Sequence, residues 1–343
     1  MKSFASEPVD FHILTGYLGS GKTTLLRHHL SHVDDGSTAV IINEFGDVSL
    51  DHRFVMHAAP AMEIVAGGCM CCTHAGELKK AIVGLLAQRA KGNLPNLKRI
   101  VLETSGLANP APLIATLLSD FVLKDYSRLA SCVVTIDATD AIECAETQPG
   151  IVQQIVAADR VVITKLDLTG PGRATQLKLW IRSINPMCEI IESMRAMRPE
   201  DMFVRGDALI SQAHTQDLRD LTRAKSGQGG VTAHSAGITS YSMVIDEVID
   251  WPAFSIWLTA LLNRHGHRIL RFKGLLDLEG ETAPVAIHGV RHRMYPPEHL
   301  PESAPYRAGS ELVFITEGIP GDELSASLLR FLRRAHVAST ALL

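Results

Sequence analysis

Residues 16–23 read GYLGSGKT, a G-x-x-x-x-G-K-[ST] pattern placed between an apolar run at 11–15 and an amphipathic stretch that opens at Lys22. No other stretch narrows the fold as much. The pattern requires a strand that ends in a tight glycine turn and continues at once into a helix. Gly16, Gly19 and Gly21 let backbone N–H groups turn inward around an anion. The helix that follows aims its positive end at the same point. Gly16, Gly19, Ser20, Gly21, Lys22, Thr23 and Thr24 are therefore candidate phosphate-binding residues, with Lys22 reaching toward β- and γ-phosphates and the Thr23 hydroxyl toward Mg²⁺. A chance match arises in roughly one chain in a hundred of this length, and far less often between a strand and a helix.

The neighbouring pattern agrees with that demand. Short β-rich runs at 11–15, 38–43, 62–66, 99–104, 131–137 and 160–164 alternate with helical patterns at 22–32, 74–89, 111–118, 151–157 and 174–184. Runs such as CVVTID and VVIT lack polar alternation, as strands covered on both faces do. The expectation is an α/β P-loop NTPase fold, a mainly parallel sheet with helices on both faces. With 343 residues, two domains are expected. The Gly/Ser/Ala-rich stretch 223–237 reads as a linker between a first domain over 1–222 and a second over 238–343. The second begins with an alternating strand and a helix with Pro252 in its first turn. Three strand-like runs and a closing helix at 322–334 follow, which reads as a smaller α+β domain with an antiparallel sheet.

A nucleotide site needs further parts in order, and VLETSGLANP and VVITKLD supply them. Glu103 ends an apolar strand and can hold Mg²⁺ directly or through water. Gly106, just beyond, can offer its N–H to a γ-phosphate. Asp167 can accept from guanine N1–H and the exocyclic amine, and Lys165 can lie along the base plane. Thr164 stands where guanine-binding loops usually carry Asn, and its shorter hydroxyl makes fewer contacts. GTP is favoured over ATP. Lys22, Thr23 and Glu103 are the candidate catalytic residues. No water-orienting Gln and no arginine finger can be assigned, so unassisted hydrolysis is expected to be slow, on the order of 10⁻² s⁻¹ or below.

Three of the six cysteines fall within GGCMCCT, residues 67–73. Net charge is −4 with signs intermixed, and no long apolar run or secretory h-region is seen at the N-terminus. The expectation is a cytoplasmic protein with reduced thiols, without a nucleic-acid or membrane surface. Cys69, Cys71 and Cys72 then read as soft ligands for Zn²⁺, with Co²⁺ or Fe²⁺ as further options. Three thiolates leave one tetrahedral position open, which suits an ion that must be released. By composition such a cluster arises in roughly two chains per thousand. His74 is the best fourth-ligand candidate. The remaining histidines, among them His28, His29, His265, His267, His288, His292 and His299, fit helix faces, loops and strand ends as readily as a metal or partner surface.

GYLGSGKTTLL, INEFGDVSLD, GGCMCC, ETSGLANP and TKLD, in this order, make the chain resemble the CobW-type GTPases, a family of metallochaperones. RILRFKGLLDL, IHGV and ELVFITEG extend the resemblance to that family's C-terminal domain, so it covers nearly the whole chain. It implies a GTP-hydrolysing carrier that delivers a transition metal to a client metalloprotein, and Glu103 matches the family's Glu in the second magnesium motif. Asn43, Glu44 and Asp47 occupy the place of a first switch segment, or are a polar loop after a strand. With the cysteines between that segment and Glu103, GTP and Mg²⁺ would assemble the thiolate site and hydrolysis would relax it. Two other readings stay open: a P-loop ATPase or kinase with a structural zinc, and a redox-responsive nucleotide-binding module. A homodimer is compatible with either.

Overall fold

The computed structural model describes residues 7–32, 36–43, 61–65, 75–192, 198, 201–205, 237–301 and 309–340, with 61–65, 75 and 333–340 as backbone alone. The chain forms two compact units, Met1–Trp180 with Cys188–Leu209, and Ile181–Met187 with Ile210–Leu343.

The first unit carries the strands β1 (Val9–Gly16), β2 (Thr38–Asn43), β3 (Ala61–Val65), β4 (Arg99–Glu103), β5 (Ser127–Asp137), β6 (Arg160–Thr164) and β7 (Glu189–Ile191). They form one seven-stranded sheet in the order β3-β2-β4-β1-β5-β6-β7. Every pairing is parallel. Its helices are α1 (Lys22–Leu30), α2 (Ala75–Ala90), α3 (Pro110–Ser119), α4 (Phe121–Tyr126), α5 (Ala141–Thr147) and α6 (Pro149–Ala157), and α7 (Arg173–Ile184) begins in it and runs four residues past Trp180. All six expected strands and all five expected helical patterns are present, with ends moved by a residue or two except at β5, which starts four residues earlier than expected. Three elements, β7, α4 and α5, were not expected. The three residues of β7 and the short α4 and α5 fall below the length at which periodicity is legible.

Local chemistry explains the boundaries. Asn109 caps α3 by accepting from the Ala111 N–H, with Pro110 next in line. Asp120 caps α4 through Val122 and Leu123 N–H and also receives Lys79 at 2.7 Å. Strand β2 is buried along its whole length, and Leu14, Leu25, Leu26, Val40, Val101, Val133 and Val162 form one core between sheet and helices. Each fully buried aliphatic side chain contributes about 1.5–3 kcal/mol.

That core also encloses a histidine pair. His12 on β1 is 1% exposed, and its Nδ1 lies 2.8 Å from Ser131 Oγ. The rings of His12 and His29 both pack on Phe203, at 5.6 and 4.9 Å between centroids. Of this pair, the helix residue His29 is fully buried rather than solvated or half-packed. Burial, followed by the positive charges of Arg99, His29 and Arg160, lowers the His12 pKa from 6.5 to about 3, against the opposing pull of Asp159. The folded protein therefore keeps His12 neutral while the unfolded chain protonates near 6.5. Stability is complete above that pH and declines as pH falls toward 3. From His12 alone the loss at pH 5 is about 2 kcal/mol. Urea unfolding at pH 7.5 and pH 5 should show this difference in the wild type, and a smaller one in His12→Gln.

In the second unit, β8 (Ile238–Ile245), α8 (Trp251–His265), β9 (Ile269–Leu276), β10 (Val285–Val290), β11 (Arg293–Met294), β12 (Glu298–His299), β13 (Ser310–Glu317) and α9 (Gly321–Thr340) follow in order. The sheet runs β11-β10-β9-β13-β8, with β12 also on β10, and its pairs are antiparallel. One face packs Phe272, Ile287, Leu312 and Phe314 against Phe254, Trp257 and Leu258 of α8 and Leu324 and Leu328 of α9. Asp250 caps α8 by accepting from Ala253 N–H. The small antiparallel α+β domain is as expected; the linker stretch 223–237 lies outside the described residues except for Gly237.

Candidate functional site

Topology brings the carboxyl ends of β1, β4, β5 and β6 side by side at the centre of the first sheet. The loop after β1 curls around the Lys22 ammonium, which donates to the carbonyls of Gly16 at 2.9 Å and Tyr17 at 3.1 Å. Gly16, Gly19 and Gly21 all have positive φ. Gly21 begins α1 in the left-handed region, no side chain caps the helix, and its first turn holds no acid. An anion is therefore the natural partner for the first N–H groups of α1. Ser20 Oγ donates to the Tyr17 carbonyl at 2.7 Å and lies 2.7 Å from Thr135 Oγ1 on β5, which fixes the loop to the sheet. Thr24 is exposed in the first turn of α1.

Thr23 and Glu103 come together from residues 80 apart: the Thr23 hydroxyl donates to Glu103 Oε1 at 2.6 Å. Glu103 is 1% exposed at the tip of β4. Two hard oxygen donors at one end of a phosphate loop suit Mg²⁺, whose ligands are oxygens. Gly106 follows, and a Cβ there would stand 2.7 Å from the backbone nitrogen of Leu18. The TSG turn thus lies directly against the phosphate loop, and only glycine allows that approach.

At the β6 end, the Thr164 hydroxyl is within hydrogen-bond reach of the Ser20 carbonyl at 2.8 Å and the Ile136 carbonyl at 3.1 Å, and it has one proton to share between them. It ties the strand to the phosphate loop. Lys165 adopts a left-handed backbone (φ 57°), unusual for a residue with a Cβ. Its ammonium is 2.6 Å from Asp137 Oδ2. Burial pushes the Asp137 carboxyl up, but the Lys165 bond and two hydrogen bonds from Thr139 outweigh it and leave the pKa below the usual carboxylate value. Asp167 is exposed in the 3₁₀ turn Leu166–Leu168 beside them.

Three residues of this site were not singled out from the sequence. Thr135 and Asp137 sit on β5, the strand between the phosphate loop and TKLD, where nothing in VVTIDA marks them out. Gln154 on α6 is 1% exposed and donates to the carbonyls of Gly106 at 3.2 Å and Ala108 at 3.1 Å, holding the turn after Glu103. A glutamine on the apolar face of IVQQIVA was the available signal.

Asn43 is the last residue of β2 and is buried, and its Oδ1 has no hydrogen-bond partner among the described residues. In register, Ile42 pairs with Glu103 and Asn43 with Val65. β3 therefore ends at the same carboxyl edge, two strands from Glu103 and four residues before Cys69 in sequence. Glu44, Asp47, Cys69, Cys71, Cys72 and His74 themselves lie outside the described residues. In the second unit, His288 packs edge-on to Tyr295, His292 Nδ1 is 3.0 Å from the Leu262 carbonyl, and His299 pairs with Glu281. Among the described residues no three His, Cys, Asp or Glu side chains gather as a metal cluster. No helix among them is long and apolar enough to cross a membrane.

A glycine loop around a lysine, the hydroxyl of Thr23 on the following helix against Glu103 at the tip of β4, and a Lys–Asp pair at the ends of β6 and β5 define a P-loop nucleotide-binding protein. Residues 10–192 match the family described as CobW/HypB/UreG, nucleotide-binding domain, and residues 238–332 match the cobalamin synthesis protein cobW C-terminal domain. The chain belongs to this family and is a CobW-type GTPase. It is 40% identical to the zinc chaperone CobW of Pseudomonas aeruginosa over 85% of this chain and 83% of that one. It is 31% identical to the zinc chaperone YjiA of Escherichia coli over 93% and 98%. The crystal structure of Zn(II)-bound YjiA GTPase from E. coli shares the fold, with TM-score 0.68, 24% identity and coverage of 95% of this chain and 99% of that one.

Proposed function

We propose that this GTPase is a metallochaperone that carries a transition-metal ion as cargo, zinc foremost with Co²⁺ or Fe²⁺ as alternatives, and delivers it to a client metalloprotein. The observation that carries this reading is the placement of β3. This strand ends at Val65, four residues ahead of Cys69 in sequence, with Asn43 its register partner and Ile42 paired in turn with Glu103, which supports the reading. The names of the relatives support zinc. Soft thiolates from Cys69, Cys71 and Cys72 would take the cargo, with a fourth position left for transfer.

In the reaction, water attacks the γ-phosphorus of GTP and GDP leaves with its β-oxygen. The N–H groups of Gly19 to Thr24 bind the phosphates, and Lys22 exchanges its loop carbonyls for phosphate oxygens. Thr23 and Glu103 would hold Mg²⁺, which would supply charge neutralisation on the phosphates. Gly106 offers its N–H to the γ-phosphate. Asp167 reads guanine, Lys165 covers the base, and Asp137 sets the direction of Lys165. Asn43, at the edge beside Glu103, is the switch residue through which loss of the γ-phosphate reaches the cysteines.

The test titrates Zn²⁺ into the reduced protein with a non-hydrolysable GTP analogue, the matching ATP analogue, or GDP. The expected result is one thiolate site per chain, at least about tenfold tighter with the GTP analogue than with GDP, consistent with coupling free energies of 1–3 kcal/mol. The ATP analogue should resemble GDP, and Cys71→Ala/Cys72→Ala should lose the site. Equal affinity in all three nucleotide states removes the coupling, and an unchanged site in the cysteine variant removes the cargo assignment.

A further inference from the structure

We infer a second transition-metal site, built by His28 and His32 where α1 ends. The two imidazoles stand one helical turn apart, with ring centroids 4.7 Å from each other and planes tilted by 58°. Residues at i and i+4 share a face, and two histidines at that spacing are a recurrent zinc-binding arrangement. His32 is exposed and His28 half-buried.

The hydrogen bonds fix which nitrogen is available. His32 Nδ1 is 2.9 Å from the His28 carbonyl, and Ser31 Oγ donates to that same carbonyl at 2.9 Å. A carbonyl oxygen can only accept, so at this distance His32 Nδ1 carries the proton. Nε2 is then left as a lone pair. Ser31 Oγ, 3.0 Å from Nδ1, accepts a share of the same proton. This is the arrangement that orients metal-bound histidines, in which one nitrogen donates to a backbone carbonyl and the other faces the ion. The His28 carbonyl is available because the His32 N–H turns to the His29 carbonyl instead. The negative end of the α1 dipole, at the same turn, favours a cation.

Two imidazoles supply half a tetrahedral shell, so the remaining positions fall to water or to donors of another protein. Such a site binds more weakly than three thiolates and exchanges faster. It suits Zn²⁺, Co²⁺, Ni²⁺ or Cu²⁺ rather than Mg²⁺, which prefers oxygen. It lies on the helix whose first residues are Lys22 and Thr23, at the end away from the phosphate loop. Its metal chemistry does not depend on the cysteine assignment.

The experiment uses the full chain with Cys71→Ala/Cys72→Ala, titrated with Co²⁺ and Zn²⁺ without nucleotide. Binding is followed by calorimetry and by the shifts of histidine ring nuclei. One equivalent should bind, with shifts at His28 and His32, and Co²⁺ should give nitrogen-ligand absorption bands without thiolate charge transfer. His28→Gln or His32→Gln should lower affinity at least about tenfold, and the double variant should abolish this equivalent. Thermal unfolding and GTP turnover of the double variant should match the parent, since neither side chain takes part in the nucleotide site or the core. Unchanged binding in the His28→Gln/His32→Gln chain, or shifts confined to the other histidines, would overturn the site. The cysteine site is read separately in the chain with native cysteines, so either assignment can fail alone.

Discussion

Glu103→Gln should remain folded and lose roughly a hundredfold in Mg²⁺-dependent GTP turnover, equivalent to about 3 kcal/mol of transition-state stabilisation. The carboxylate is buried at the tip of β4 and accepts from the Thr23 hydroxyl at 2.6 Å. An amide keeps the shape and one accepting oxygen, so packing is preserved while the charge proposed to hold Mg²⁺ is removed. Glu103→Asp retracts the charge by one methylene and should restore little. GDP affinity measured without Mg²⁺ should stay within a few-fold of the wild type in both variants, because the loop and Lys22 are untouched. Single-turnover hydrolysis across a Mg²⁺ titration checks the claim. A rate for Glu103→Gln within threefold of the wild type at saturating Mg²⁺ would remove Glu103 from the metal site.

Gly16→Ala is the second large effect, and it acts through the backbone. A Cβ at this position would stand 2.3 Å from Thr135 Oγ1 and 2.5 Å from the Thr135 carbonyl oxygen, at φ +145°. Thr135 belongs to the central strand β5 and cannot retreat, since β1 and β6 pair on its two sides. The loop must therefore lift off the sheet and break the Ser20–Thr135 contact at 2.7 Å. A stability loss of about 1–3 kcal/mol is expected from overpacking. GTP affinity should fall by two orders of magnitude or more, because the N–H groups no longer converge. Gly19→Ala is the control. Among the described residues nothing lies within 4 Å of its Cβ, and its φ of +73° resists the change, a strain of about 1–2 kcal/mol. Fluorescent-nucleotide binding and thermal unfolding of both variants decide the matter. If the two alanines behave alike, loop conformation rather than the fit against Thr135 governs nucleotide binding.

Much of the site was legible because its parts are short and ordered along the chain. The phosphate loop shows itself through glycines whose positive φ the structure confirms at Gly16, Gly19 and Gly21. Glu103 shows itself as an acid ending an apolar strand. Residues that act across the sheet were not legible. Asp137 is 28 residues from Lys165 in sequence and 2.6 Å from it in space. Gln154 reaches back 48 residues to Gly106. Thr164 shows the same division. Its identity raised a question about guanine contacts, while its hydroxyl was found holding the Ser20 carbonyl of the phosphate loop.

By itself, the amino-acid sequence determined the alternation of buried strands and amphipathic helices, the phosphate loop, the cysteine cluster and the change to a smaller antiparallel domain. Each is a local pattern, set by backbone freedom, hydrophobic period or ligand chemistry within a few residues. Only the tertiary structure decided the strand order β3-β2-β4-β1-β5-β6-β7, which sets Glu103 beside Thr23 and Asp137 beside Lys165. Strand order depends on contacts between distant segments, and those contacts exist only once the sheet has formed.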